Sequence, residues 1–205
     1  MSKIYEYRGV CDLVYAPVTV DDNSTDTGHG YVTGTVKPLA GVAEIGKTTD
    51  SSEEAHYYDN VPAVIVSSEG QDTITINTSA IPLDVLADIT GQYYDALTGM
   101  MIEQTRTPGY FAIGYKTQDT DGTEYYVWRL KGSFSIPDQT NATKNNSTDA
   151  NGQTLTYTGI STTHKFTKTT KTAKAVNVNT GLDLIADKAN FFASVQTPDT
   201  ITAKA

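Results

Sequence analysis

The stretch "YFAIGYKTQDTDGTEYYVWRLKGSFSI", Tyr110 to Ile136, decides the fold class. Two arms rich in aromatic and branched residues flank "DTDG", Asp119 to Gly122. An Asp-Gly pair between such arms signals a hairpin, because both residues tolerate the left-handed backbone of a tight turn. Along the second arm, strand alternation places Tyr126, Trp128, Leu130 and Phe134 on one face. Tyr125, Val127, Arg129, Lys131 and Ser133 fall on the other. The first set is expected in the core, which leaves Arg129 and Lys131 on a basic face able to meet an acidic neighbour. Proteins that stack bases want aromatic rings and cations on one surface, so the alternation argues against single-strand binding.

The composition around this hairpin fits a β protein. Charged residues make up only 19% of the 205, so polarity comes mainly from Thr, Ser, Asn and Gly, which favour strands joined by turns over helices. "IYEYRGVCDLVYAPVTV" (Ile4 to Val20) reads as a strand or strand pair broken near Gly9, within an N-terminal arm over 1–20. "PAVIVSSEGQDTITINTS" (Pro62 to Ser79) reads as a second hairpin, with "SEGQD" as its turn. One short helix is expected over about 81–90, capped by Ser79, with Asp84 in its first turn and Gly91 as its stop. Ile81, Val85 and Ile89 recur every four residues, so Val85 and Ile89 join the candidate core. A long exposed loop is expected over 38–60, because "KTTDSSEEAHYYDN" (Lys47 to Asn60) has no hydrophobic period. The region 161–205 is expected to form C-terminal strands and an arm, with a last strand at Phe191 to Gln196. The expectation is a single domain over 1–205, mainly β and sandwich- or barrel-like.

Charge narrows the function. The net charge is −9, which argues against a protein built to grip phosphates. Before Tyr126 there are 19 acidic and 6 basic residues, and from Tyr126 onward 5 and 9, so the molecule is expected to have an acidic and a basic side. The basic side includes Lys165, Lys168, Lys171 and Lys174, read as lying on a strand. These lysines either guard an exposed edge or dock on the acidic side of a neighbouring copy. Asp50, Glu53 and Glu54 in the 38–60 loop are the acidic candidates for such contact.

Motifs for chemistry are weak. His29, His56 and His164 are scattered without metal-ligand spacing, and no nucleophile elbow, phosphate loop or dinucleotide fingerprint occurs. The carboxylates Asp21, Asp22 and Asp26 stand in polar sequence with nothing apolar to raise one pKa. "DTDG" has its Gly too early for a calcium loop. Cys11 is alone, so no internal disulfide forms. No catalytic residue, metal or cofactor is expected. The N-terminus lacks the apolar run of a signal peptide and no segment is long enough to span a bilayer, so folding in a cytoplasm is expected. The sequons at Asn23, Asn77, Asn141, Asn145 and Asn146 then read as ordinary turn sequence.

An ordered set of stretches resembles a known family. "HYYDNVPA", "IPLDVLADITGQYYD", "TPGYFAIGYK", "WRLKGSFSIPD", "NGQTLTYTGI" and "FFASVQTPD" resemble, in this order, the major tail proteins of long-tailed bacteriophages of Gram-positive bacteria. The resemblance implies a β-sandwich with one flanking helix, polymerised as stacked, typically hexameric rings into a non-contractile tail tube. It implies a long hairpin added to a continuous inner barrel; the hairpin at Glu69 to Asp72 and the one at Asp119 to Gly122 are both candidates. Partners implied are further copies, the tape-measure protein, the tail terminator, and distal tail or baseplate proteins. The resemblance also implies that DNA passes without specific binding and that the protein resides in the virion after assembly in the host cytoplasm. Two rivals stand beside this: a β-sandwich module binding carbohydrate or a surface, and a carboxylate-based hydrolase.

Overall fold

The computed structural model describes residues 4–24, 26–143 and 151–204. The sequons at Asn145 and Asn146, and the outermost residues of both expected arms, lie outside the described residues. In chain order the elements are β1 (Tyr7–Asp21), β2 (Tyr31–Thr33), β3 (Lys37–Pro38), β4 (Val42–Tyr58), β5 (Val61–Thr78) and α1 (Leu83–Thr90). They continue with β6 (Tyr93–Asp95), β7 (Met100–Ile102), β8 (Phe111–Asp119), β9 (Glu124–Phe134), β10 (Asp138–Gln139), β11 (Gln153–Gly159) and β12 (Ala175–Asn179). The main sheet runs β2-β1-β8-β9-β11-β5-β4, with β3, β10 and β12 on branches, and β6 with β7 forms a separate ribbon. The fold is mainly β, antiparallel and sandwich-like, with one α-helix among the described residues.

The β8–β9 hairpin turns at "DTDG" as its sequence dictates. Asp119 Oδ1 accepts the backbone N–H groups of Asp121 and Thr123, and Gly122 takes a φ of 89°. Further along β9, two residues, Leu130 and Lys131, face one, Ala112: Ile113 pairs with Arg129 but Phe111 pairs with Gly132. This bulge reverses the alternation. Tyr126, Trp128 and Leu130 therefore share one core with Phe166, Phe191 and Val195, whereas Phe134 packs in the other with Val127, Phe111 and Tyr157. The expectation that Phe134 lies on the face of Trp128 is corrected by that one extra residue.

Two cores lie on opposite faces of β8 and β9. The first gathers Tyr15 of β1, Ile74 and Ile76 of β5, Ile113 of β8, Leu155 and Tyr157 of β11, and Ile89 of α1. Val85 is partly buried against it. The second holds Trp128 and Leu130, both fully buried, under the C-terminal segment, and the Trp128 indole N–H donates to the Phe191 carbonyl. Both faces of β9 are thus covered, so a strand expected to be half-buried is buried on both sides.

Helix α1 stops as expected: Gly91 takes φ 68°, and a Cβ there would stand 2.0 Å from the Thr107 carbonyl oxygen. Its start differs, since Ser79 Oγ accepts the Gly41 N–H instead of capping, and Pro82 precedes the first turn without a side-chain cap.

Three expectations are overturned. The region expected as a loop over 38–60 is mostly β4, paired along its length with β5. The expected turn at Glu69 to Asp72 does not exist: β5 runs unbroken from Val61 to Thr78, and the chain reverses at Asp59 and Asn60, whose φ values of 51° and 63° form the left-handed pair that a two-residue hairpin needs. The expected strand at Phe191 to Gln196 is a series of turns. There Phe191 packs on Tyr126 while the next residue, Phe192, packs on both Tyr126 and Trp128; strand alternation would send two neighbours to opposite faces.

Candidate functional site

The feature that stands out from the packed body is the distal part of β4 and β5. β11 reaches only to Gly159, which pairs with Asp72, so beyond that point Ser51–Tyr58 and Val61–Glu69 pair only with each other among the described residues. At about 3.4 Å per residue, the eleven residues from Val61 to Gln71 make a ribbon roughly 37 Å long. Residues 51–71 are all exposed, on both faces. A lone two-stranded ribbon is marginally stable in water, and its two outer rows of unpaired N–H and C=O groups are templates for further strands. Its tip also exposes Tyr57, Tyr58, Val61, Val64, Ile65 and Val66 together, a concentration of apolar surface that marks a contact region.

The ribbon is acidic on both faces. From Thr48 to Gly70 it carries Asp50, Glu53, Glu54, Asp59 and Glu69 and no Lys or Arg. Ser52 and Ser68 bond across it at 2.7 Å, and the register puts Glu54 opposite Val66 on that face. The other face pairs Ser51 with Glu69 and Glu53 with Ser67.

At its root sits a buried carboxylate. Asp72, 3% exposed, accepts from Arg129 Nη1 at 2.7 Å and Thr49 Oγ1 at 2.9 Å, with Lys174 Nζ at 3.5 Å and Lys47 Nζ at 3.8 Å. Burial would raise its pKa, but the Thr49 hydroxyl and the cations Lys47, Lys174 and Arg129 outweigh that and hold it below the usual carboxylate range. Lys174 also donates to the Gly70 carbonyl and lies 3.4 Å from Glu69, so it ties the first exposed residues of the ribbon to the body.

The expected contact residues therefore separate into two groups. Arg129, Lys131 and Lys174 are not on a free basic face, which corrects that expectation. Arg129 is 8% exposed and spent on Asp72, and Lys131 meets Asp21 at 2.5 Å, where the side chains are 11% and 5% exposed. Asp21 also accepts the Thr163 and His164 N–H groups; burial pushes its pKa up, and these bonds with that from Lys131 bring it below normal. Lys165, Lys168 and Lys171 remain exposed, on a turn and not on a strand, closed by a bridge between Phe166 and Lys171. Asp50, Glu53 and Glu54 are exposed on the ribbon.

Sequence reasoning does not single out Asp72, Thr49 and Lys47, which meet at the ribbon's root. The available signal was a lone Asp beside a clean β run, "TITIN", which the glycine two positions earlier disguised as a turn.

No group of three or more His, Cys, Asp or Glu among the described residues could hold a metal ion. His29 Nδ1 lies 2.8 Å from Asp22, and His164 Nδ1 bonds the Asp22 carbonyl. The Asp22 carboxyl, held by His29 and the Gly30 and Ser24 N–H groups, has its pKa lowered to about 2. A hydrolytic carboxylate pair needs one member raised, the opposite of what Asp21, Asp22 and Asp72 display. Among the described residues no helix is long and apolar enough to cross a membrane.

A family model described as phage tail tube protein matches residues 50–188, from within the ribbon through the sheet to the C-terminal cover. No curated protein matches the chain.

Proposed function

Because the chain belongs to the phage tail tube protein family, a structural component of the virion that assembles into a tube, we propose that it polymerises as stacked rings of six around the tape-measure protein. The ring stack ends at a terminator on one side and at distal tail or baseplate proteins on the other, and it is built in the host cytoplasm. The observation that carries this reading is the ribbon of β4 and β5, with both edges open and its apolar tip exposed. Strand addition to those edges satisfies the backbone groups that the monomer leaves to water, and repeating it around a ring gives a continuous inner wall.

The charge supports the same reading. A ribbon with five carboxylates and no Lys or Arg repels phosphates, so DNA passing along a wall of such ribbons does not stick. The lowered carboxyl pKa values support a structural and not a hydrolytic role.

Negative-stain microscopy of the purified chain across concentration and salt, with and without the phage's tail initiator, tests the proposal. Long hollow tubes with a regular ring repeat are the expected outcome. A chain that stays monomeric with the initiator present would refute it.

A further inference from the structure

A groove of about 710 Å3 runs beside β1. Five consecutive residues, 10–14, line it, so it follows the strand's edge and not one face, because neighbouring side chains point opposite ways. Pro38, Ala40 and Val42 line it as well, with Ala189, Phe192 and Ala193 of the C-terminal cover. Its two charged residues, Lys116 and Asp12, are paired with each other. The groove is therefore mainly apolar and balanced in charge.

The strand edge beside it is open. β8 takes one edge of β1, while β3 joins the other only at Val14 and Tyr15 and β2 only from Val18 to Asp21. Among the described residues no strand pairs with that edge over residues 7–12. The register against β8 shifts on either side of Val10 and Cys11, with Gly9 at φ 96° and Asp12 at φ 55°. Such bulges prevent a long strand from pairing and leave room for a short one.

The chain carries a short segment that matches. Ile4 is 91% and Tyr7 82% exposed, and Tyr5 and Glu6 between them are exposed too. At about 3.4 Å per residue these four residues span roughly 14 Å, against roughly 17 Å for the five along the groove. The arm cannot enter its own groove. Thr120 N–H donates to the Glu6 carbonyl at 2.9 Å, Glu6 N–H donates to Thr120 Oγ1 at 3.4 Å, and Tyr7 pairs with Asp119. These bonds carry residues 4–6 past the Asp119–Gly122 turn, while the groove lies further along the same strand in the opposite direction.

We propose that the groove takes the N-terminal arm, residues 4–7, of a second copy as a short added strand. This rests on the self-assembly proposed above and names a contact separate from the ribbon. The added strand covers the apolar side chain of Ile4 and supplies partners to the open edge of β1. Arm and groove are different surfaces, so the contact is heterologous and passes from copy to copy through an assembly of any size.

Cys11, the sole cysteine of the chain, is exposed and lines the groove, so disulfide trapping tests the proposal. Ile4→Cys, Tyr5→Cys and Glu6→Cys each add one thiol to the arm. Cys11 of the same chain lies at least five residues along an extended strand, roughly 16 Å, beyond the reach of a disulfide, so any bond joins two copies. Tubes oxidised with copper phenanthroline should give a ladder of trimers and longer species from at least one of the three variants, and none once Cys11→Ser is added. Wild type, with one thiol, can link no more than two copies. Ile4→Asp should melt like wild type, because the position is exposed in the monomer. It should need a roughly tenfold or higher concentration to form tubes, since each junction loses one buried Ile. Tubes of all three cysteine variants without a ladder, or Ile4→Asp assembling like wild type, would overturn the inference and leave the tube reading intact. Absence of wild-type tubes with the tail initiator present would overturn both.

Discussion

Replacing Asp72 by Asn keeps the shape of the ribbon's root and removes its charge. Arg129 then remains 8% exposed with no carboxylate, and its Nε already lacks a hydrogen-bond partner among the described residues. Breaking a buried ion pair from one side costs about 3–5 kcal/mol, because the surviving charge stays desolvated. For a domain of 205 residues each kcal/mol lowers the melting temperature by about 2–4 °C, so the expected fall is about 6–20 °C. Thermal unfolding at neutral pH, followed by far-ultraviolet circular dichroism on the monomer, measures it. The double variant Asp72→Asn/Arg129→Met should be more stable than the sum of the single losses by at least about 1 kcal/mol, since it no longer strands a charge. A single-variant loss below about 1 kcal/mol, or strict additivity, would refute the view that Asp72 holds Arg129 in the body and the ribbon at its root.

Trp128→Ala empties a fully buried site under Phe191 and Phe192 and should cost about 3–5 kcal/mol, read by denaturant unfolding of the monomer. Lys131→Glu should lower monomer stability by at least about 3 kcal/mol, because it sets a second carboxylate against Asp21, whose side chain is 5% exposed; wild-type melting would contradict this. Acid should weaken the fold: Asp72 and Asp21 have folded-state pKa values below their unfolded ones, so the stability they contribute is present above about pH 4 and is lost as pH falls through the lower folded values. A melting temperature flat from pH 5 down to pH 2 would contradict that sign.

What the sequence made legible follows from where burial is one-sided or a turn has a fixed chemistry. The Asp119–Gly122 hairpin was readable because two β-prone arms frame an Asp-Gly turn, and the end of α1 because Gly91 alone fits a left-handed cap against Thr107. The ribbon was not, since hydrophobic alternation appears only where one face is buried, and residues 51–71 are exposed on both. Gly70 misled in particular: it sits in a continuous strand, where a Cβ would come within 3.1 Å of Asp50 across the ribbon, while the true turn at Asp59 and Asn60 lacks a glycine. The cationic face of β9 was lost for another reason. Arg129 finds Asp72 and Lys131 finds Asp21 through pairings 57 and 110 residues apart, which no local pattern records. The bulge that turns Phe134 to the other core is likewise set by the register against β8.

The central claim is that the open ribbon becomes part of a shared wall. Hydrogen exchange of the ribbon amides, residues 51–58 and 61–69, in monomer and in tubes, tests it most directly. In the monomer the outward-facing amides should exchange rapidly, and in tubes they should be protected by at least about a hundredfold, as strand pairing on both edges requires. Tubes that form while those amides exchange as fast as in the monomer would contradict it.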